Sequence, residues 1–404
     1  MFNLLDADLI ALAERCALPI YLVGGFVRNF LIDGSASQDY DLASALDTQS
    51  FLKALSEFKP NSIAEYKNTG TVTFTLGKNR YEYTQFRKET YARGNHKPQS
   101  VQFVSDIVTD AKRRDFKCNA VYYDIKNKIF VDPLGGIADI KAKILDTVAE
   151  PSIVFACDGL RLMRLARFYG QLCFTPTEQV LDGAKAFANN IDDISKERIL
   201  EELKLILTAD TKYPFSLINA PSKCLTLLKE IGVLERIFDK ELTNLQVLDG
   251  VQEQYRLHAL LLLTNESSLE KLKVDTKTKE SVKRLNKASK KALNLANSNK
   301  IREFLLEFYA ELPQFFALSD LFDGVDMQTI KAEYDLAIKQ GAPFNLIDLK
   351  IQAKTLQNIG FSGKELGSQL KKLQFECVLE PSKNNQNYLL ETCKKDILLL
   401  KNSD

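Results

Sequence analysis

The hydrophobic period of the chain changes once, near Glu150, and that change limits what it can fold into. Before it lie short β-branched and aromatic runs set between turn residues: Pro19–Gly25 (PIYLVGG), Gly70–Leu76 (GTVTFTL), Arg80–Phe86 (RYEYTQF), Val101–Val104, Ala120–Asp124 and Lys128–Pro133. Such runs predict strands of a sheet accompanied by a few helices. After it come Leu-rich segments of helical period, among them Asp158–Gly170 (DGLRLMRLARFYG) and Ser195–Leu207 (SKERILEELKLIL), with no comparable strand signal. The expectation is an α+β chain with a mixed-sheet head over residues 1–145 and an all-helical remainder. At 404 residues the chain exceeds one core. The helical part is divided at 146–210, 211–320 and 321–404.

Charge and cysteine content exclude several classes. Lys and Arg number 54 against 53 Asp and Glu, so any nucleic-acid surface must be a local patch. The longest apolar stretch near the middle, Ala259–Leu263, is far short of the roughly 20 residues that span a bilayer, and no membrane association is expected. The N-terminus carries Asp6, Asp8 and Glu14 and reads as an amphipathic helix rather than a secretory segment. Seven scattered cysteines without a CxxC, and two histidines, suggest neither a disulfide framework nor a zinc site, and place the chain in a reducing cytoplasm. No obligate protein partner is evident. One charge run stands out: Lys271–Arg302 holds eleven Lys or Arg against Asp275 and Glu280. It is either a solvated face or a phosphate-tracking patch, for which Lys283, Arg284, Lys287 and Lys290 are the candidates.

The head holds the chemistry. A strand ending at Val23 runs into Gly24-Gly25 and then a helix, with Arg28 in its first turn. Glycines permit close approach of the backbone, and a helix start offers free amides to an anion. Thirteen residues after Gly25 begins Gln38-Asp39-Tyr40-Asp41-Leu42. On a strand, Asp39 and Asp41 share a face about 7 Å apart, close enough for both carboxylates to reach two shared Mg2+ ions. Such a pair serves nucleotidyl transfer: one ion activates the attacking hydroxyl and the other grips the triphosphate. Glu82 is either a third metal carboxylate or the partner of a nearby arginine.

Together, Tyr21–Gly34 (YLVGGFVRNFLIDG) and Gln38–Ala43 (QDYDLA) resemble the first motif of polymerase-β-type nucleotidyltransferases, in the branch of class II tRNA nucleotidyltransferases (CCA-adding enzymes) and bacterial poly(A) polymerases. The resemblance continues in order. Lys67–Val72 and Glu82–Arg87 resemble the following strands, Glu89–Pro98 a flexible loop, Arg113–Ala120 (RRDFKCNA) the ribose-reading motif, and Asp132–Ile140 (DPLGGIADI) the hinge between head and neck. Asp158–Phe168 resembles the base-reading helix, Ser195–Leu207 the neck helix that braces it, and Gly360–Leu373 the tail. The resemblance thus implies a catalytic head (1–145), a neck with the base reader (146–210), a body (211–320) and an RNA-binding tail (321–404).

Residue by residue, Arg114 and Asp115 offer a donor fork and an acceptor suited to a ribose hydroxyl, with Asn119 in support; a buried Arg–Asp ion pair is the alternative. Asp158 and Arg161 are three apart on one helix face, with Arg164 and Arg167 continuing the stripe. They are either a helix salt bridge or a template. A carboxylate accepts from an exocyclic amine and a guanidinium donates to a ring nitrogen, a pattern that cytosine and adenine share and uracil and guanine lack. Arg164 is then available for phosphate or for orienting Asp158. The chain departs from the family pattern at Asn29, where an Asp usually follows the arginine, at Cys157, where a Glu usually precedes the reading Asp, and at Ala92 and Gly94 in the loop. The function implied is template-independent addition of C, C and A to the tRNA 3′ end from CTP and ATP. An A-adding enzyme or poly(A) polymerase with the same chemistry is the alternative, and a non-catalytic RNA-binding protein the third.

Overall fold

The computed structural model describes residues 5–35, 40–91 and 98–401. They form two compact units: the first comprises residues up to Asp249 together with Thr264–Lys273, the second Gly250–Leu263 and Val274 onward.

The first unit carries the mixed sheet. Its strands are β1 (Tyr21–Val23), β2 (Tyr40–Ser44), β3 (Ser62–Tyr66), β4 (Thr71–Leu76), β5 (Asn79–Gln85), β8 (Tyr122–Asp124) and β9 (Ile129–Val131), in the order β3-β4-β5-β2-β1-β8-β9. A further pair, β6 (Arg87–Tyr91) and β7 (Pro98–Phe103), forms a separate antiparallel ribbon flanking the expected loop, of which residues 92–97 lie outside the described residues. Within the sheet β1 is antiparallel to β2 and β8, whereas β2 and β5 run parallel. Parallel neighbours point the same ends of both strands at one edge, so residues from β2 and β5 can meet there.

Alternation sets the faces. Tyr81 and Tyr83 of β5 are buried with Phe51 and Phe74, and the Phe51 and Tyr83 rings stack at 3.8 Å, while Glu82 between them is exposed. The N-terminal segment is helix α1 (Ala7–Arg15), with Leu9, Leu12 and Ala13 buried as its amphipathic pattern predicts. Helix α2 (Gly25–Asp33) follows β1 directly, and α3 (Thr48–Ser56) and α4 (Ile107–Lys112) are capped by Asp47 and Asp106. Then come α5 (Gly136–Ala142), α6 (Pro151–Cys157), α7 (Leu160–Leu172), α8 (Glu178–Ala186), α9 (Lys196–Leu207) and α10 (Ala220–Glu230). Helix α7 is buried over most of its circumference, between Leu162, Leu165 and Ala166 on one side and Phe168 and Leu172 on others.

The second unit is helical throughout its described residues. In its C-terminal part, Leu349, Leu356, Phe361, Leu373, Cys377, Leu389 and Cys393 form one core. The basic run is not one surface. Lys271 and Lys273 belong to the first unit and pair there with Asp239 and Glu197. Arg302 is buried, bound to Glu333 at 2.6 Å and to the carbonyls of Val378 and Leu379. What remains is the helix Thr276–Ala292, which buries Val282, Leu285 and Ala288 and exposes Lys283, Arg284, Lys287 and Lys290. No helix among the described residues is long and apolar enough to cross a membrane.

Candidate active site

The cleft lies in the first unit and has a volume of about 810 Å3. Its floor is the end of the strands. Gly24 has φ +74°, a conformation that lets β1 turn straight into α2, and a Cβ built on it would lie 2.9 Å from Oδ2 of Asp41. Only glycine leaves that carboxylate its room. Asp41 sits on β2 opposite Val23 of β1 and, in parallel register, opposite Glu82 of β5. Both carboxylates line the cleft. Asp39 lies outside the described residues, so the described partner of Asp41 on the floor is Glu82. Among the described residues no group of three His, Cys, Asp or Glu gathers as a metal cluster. Asp41 and Glu82 nevertheless offer hard oxygen donors side by side beside a glycine cradle, a set that suits Mg2+.

Arg28, in the first turn of α2, is buried and faces the same space. Its Nη1 donates to Oδ1 of Asn119 at 2.6 Å, while Nε and Nη2 donate to Oδ1 of Asn29 at 3.1 and 2.8 Å. Its guanidinium also stacks over Phe168 at 5.2 Å.

Arg114 and Asp115 do not pair with each other. Arg114 turns to Asp110 (3.3 Å) and the Tyr122 hydroxyl (3.1 Å). Asp115 turns to Arg164, whose Nε and Nη2 donate to its Oδ2 at 2.8 and 2.5 Å, and its Oδ1 accepts from Asn119 Nδ2 and the Phe116 amide. The ion pair weighed from sequence is thus real, but with a partner 49 residues away on α7. Burial alone would raise the Asp115 carboxyl; Arg164, helped by the Asn119 amide, reverses that and holds it well below the usual carboxylate range. Arg164 is therefore committed rather than available.

Asp158 and Arg161 are likewise not a helix salt bridge. Asp158 precedes α7, where its Oδ1 accepts from the Leu160 amide at 3.0 Å and its Oδ2 from Arg198 of α9 at 3.2 Å. Arg161 donates to the carbonyls of Val154 (3.3 Å) and Arg113 (2.6 Å). The two side chains are fixed separately, and both line the cleft. Cys157, at the end of α6, is half-buried in a smaller adjoining cavity, and burial pushes its thiol up.

Three groups escaped the sequence reading. Asp110, fully buried, accepts from Arg113 Nε (2.8 Å), Arg114, the Tyr122 hydroxyl (2.7 Å) and the Arg87 amide, so one carboxylate aims two cleft arginines. Its i,i+3 and i,i+4 spacing to Arg113 and Arg114 was a legible signal. Arg198 follows the Ser195 cap of α9, and nothing in that helix says it reaches Asp158. Tyr213, whose hydroxyl lies 3.4 Å from Arg28 Nη2, carries no local signal at all.

This geometry, a glycine turn into a helix beside strand carboxylates at a cleft walled by arginines, is the one expected of a polymerase-β-type nucleotidyltransferase head. Comparison with known proteins agrees. Residues 20–146 match the poly(A) polymerase head domain, and residues 173–245 match the probable RNA and SrmB-binding site of polymerase A. The CCA-adding enzyme of Lactobacillus helveticus is 36% identical over 189 residues, 47% of this chain and 46% of that protein. That of a Geobacillus species is 34% identical over 236 residues, 58% of this chain and 55% of that protein. The chain thus aligns with about half the length of the curated relatives it matches. Beyond that half the fold continues to agree. The Bacillus stearothermophilus CCA-adding enzyme in complex with CTP superposes with a TM-score of 0.72 at 20% identity over 99% of this chain and 100% of that one. The Thermotoga maritima CCA-adding enzyme complexed with tRNA gives 0.69 at 19% identity over 96% and 94%. The chain thus carries a poly(A) polymerase head domain and the RNA-binding segment that follows it, and is similar to CCA-adding enzymes.

Proposed function

We propose that the chain is a CCA tRNA nucleotidyltransferase that adds C, C and A to the tRNA 3′ end from CTP and ATP, without a nucleic-acid template. The observation that carries this reading is that Asp158, which is extended and precedes α7 rather than lying on it as the spacing predicted, and Arg161, in the first turn of α7, both line the cleft that holds Asp41 and are each held by other groups. Held in place by Arg198 and by backbone carbonyls, each side chain still has capacity for a base, because each carboxylate oxygen accepts more than one hydrogen bond and a guanidinium carries five N–H donors. Here the Asp158 carboxylate accepts from the exocyclic amine of cytosine or adenine and Arg161 donates to the ring nitrogen beside it. Uracil and guanine would leave both groups unpaired, a mismatch that discriminates by about 10⁴-fold or more.

The other roles follow from position. Gly24, Gly25 and Arg28 hold the triphosphate, through backbone amides at the start of α2 and one buried cation. Asp115, aimed by Arg164 and Asn119, accepts from the ribose hydroxyl, and Arg114 lines the same wall. Mg2+ would be held by Asp41 with Asp39 and Glu82, and when bound it supplies a Lewis acid for the attacking hydroxyl and the leaving pyrophosphate. Residues 1–145 are then the catalytic head, 146–210 the neck, 211–320 the body and 321–404 the RNA-binding tail, with Lys283, Arg284, Lys287 and Lys290 as phosphate contacts. Seven unpaired cysteines support a cytoplasmic home.

The second reading, an A-adding enzyme or poly(A) polymerase, is favoured by the two family models, both named for poly(A) polymerase. One experiment separates them. Purified protein is incubated with tRNA lacking its last three, two or one nucleotides and with each NTP alone. Incorporation of C onto the shortest substrate and of a single A onto the longest supports CCA addition. A alone, or a run of A, supports the second reading.

A further inference from the structure

Eight arginines line the cleft, and six of them have a carboxylate within ion-pair distance. Arg161 is held by carbonyls, and Arg28 is the other exception. Arg28 is 3% exposed, and its described hydrogen-bond partners are the Asn29 and Asn119 oxygens and the Tyr213 hydroxyl, all neutral. Because a guanidinium is donor-only, the amide oxygen of Asn29 must face it, and that single oxygen takes two of its N–H groups. A buried cation without an acid is costly to maintain, and a carboxylate in place of the Asn29 amide would relieve the cost without changing shape. The guanidinium also looks toward the glycine turn: a Cβ on Gly25 would lie 3.6 Å from its Nη2.

We infer that Asn29 is a positioning residue that aims Arg28 while leaving its charge undiminished for a polyphosphate anion at the Gly24-Gly25 turn. The inference rests on the reading of the cleft as a nucleoside triphosphate site. Asn29 orients Arg28 as a carboxylate would, but does not compete with the incoming phosphates for its charge. Affinity gained this way grows with the number of phosphates on the nucleotide and is indifferent to the base.

The test is Asn29→Asp, which alters charge and leaves size unchanged. Binding of CTP, CDP and CMP is measured by titration calorimetry in Mg2+ buffer without RNA, so that no turnover intervenes. The variant is expected to lose about tenfold in CTP affinity, less in CDP and least in CMP, since a neutralised cation costs in proportion to ligand charge. Its thermal unfolding midpoint is expected to rise, because the buried cation gains an acid. Asn29→Ser, a neutral acceptor, should retain most of the wild-type preference for CTP over CMP. An equal loss for all three nucleotides, or an unchanged CTP to CMP ratio in Asn29→Asp, overturns the inference. Wild-type protein that binds none of the three overturns the nucleotide-site reading itself, a distinguishable result.

Discussion

The cleft and the helix Thr276–Ala292 are both dense in positive charge, but they hold it in opposite ways. In the cleft each cation is fixed: Arg113 and Arg114 by the buried Asp110, Arg164 by Asp115, Arg198 by Asp158. On the helix the cations stand on an exposed face above Val282 and Leu285, and the acids that meet them, Glu311 for Arg284 and Glu307 for Lys287, leave them largely in water. The tally along the chain overstated the second region and understated the first. Counting charge along the chain ignores acids that the fold brings in, whereas preorganised donors in a partly dry site act far more strongly than mobile ones in water.

The largest expected effect breaks the cleft at its floor. Asp41→Ala should lower nucleotide transfer by at least about 10³-fold while tRNA affinity stays near wild type, since transfer needs the metal carboxylate and binding rests on phosphate contacts. Single-turnover incorporation beside a filter-binding isotherm measures both. Wild-type-like transfer would remove Asp41 from the metal site.

Next comes the group that aims the wall. Asp110→Ala leaves Arg113 and Arg114 without their buried acid and Tyr122 without its acceptor, a loss of about 3–5 kcal/mol in unfolding free energy. Denaturant unfolding checks it. A cost under about 1 kcal/mol would mean that the arginines re-pair with neighbours and that the wall is not built on this carboxylate.

Much of this architecture was legible. Most of the head's strands, the α+β division and α7 follow from period and turn residues, although β3 was not signalled and β6 takes in Glu89–Tyr91 of the expected loop, and the cleft residues Gly24, Arg28, Asp41, Asp115, Asp158 and Arg161 follow from local motifs. What was hidden were partners across the chain. Nothing near Asp115 says that Arg164 will claim it, and nothing near Asp158 points to Arg198. A motif specifies a side chain's chemistry, but its protonation and aim are set by whatever the fold packs against it.

A third prediction uses that dependence. The Asp115 carboxyl is held below its unfolded value, so its contribution to stability is complete above the unfolded pKa of about 4 and is lost as pH falls through the folded value. The stability difference between wild type and Asp115→Asn should therefore stay flat from about pH 8 to pH 5 and shrink only below about pH 4. A difference that grows in favour of the wild type as pH falls from 7 to 5, the sign of a carboxyl raised by burial, would show that Arg164 does not hold the group as the geometry implies.

The smallest effects belong to the exposed helix, where Arg284 and Lys290 should part company. Arg284 is gripped by both oxygens of Glu311, at 2.5 and 2.9 Å, and donates to the Glu307 carbonyl, and Glu311 is itself buried. Arg284→Ala should thus cost some stability, roughly 0.5–1 kcal/mol because the arginine is largely exposed, and should change RNA affinity little. Lys290, exposed on the same helix, should behave in the reverse sense if it meets an RNA phosphate. Lys290→Ala should leave the unfolding midpoint in place and flatten the slope of log affinity for tRNA against log salt by about one unit. Replacing Lys283, Arg284, Lys287 and Lys290 together should then flatten it by fewer than four units, since ion pairs with Glu311 and Glu307 must break before two of these cations can reach phosphate. An unchanged slope in the fourfold variant would leave this helix a solvated face, and place the whole electrostatic hold on RNA elsewhere in the chain.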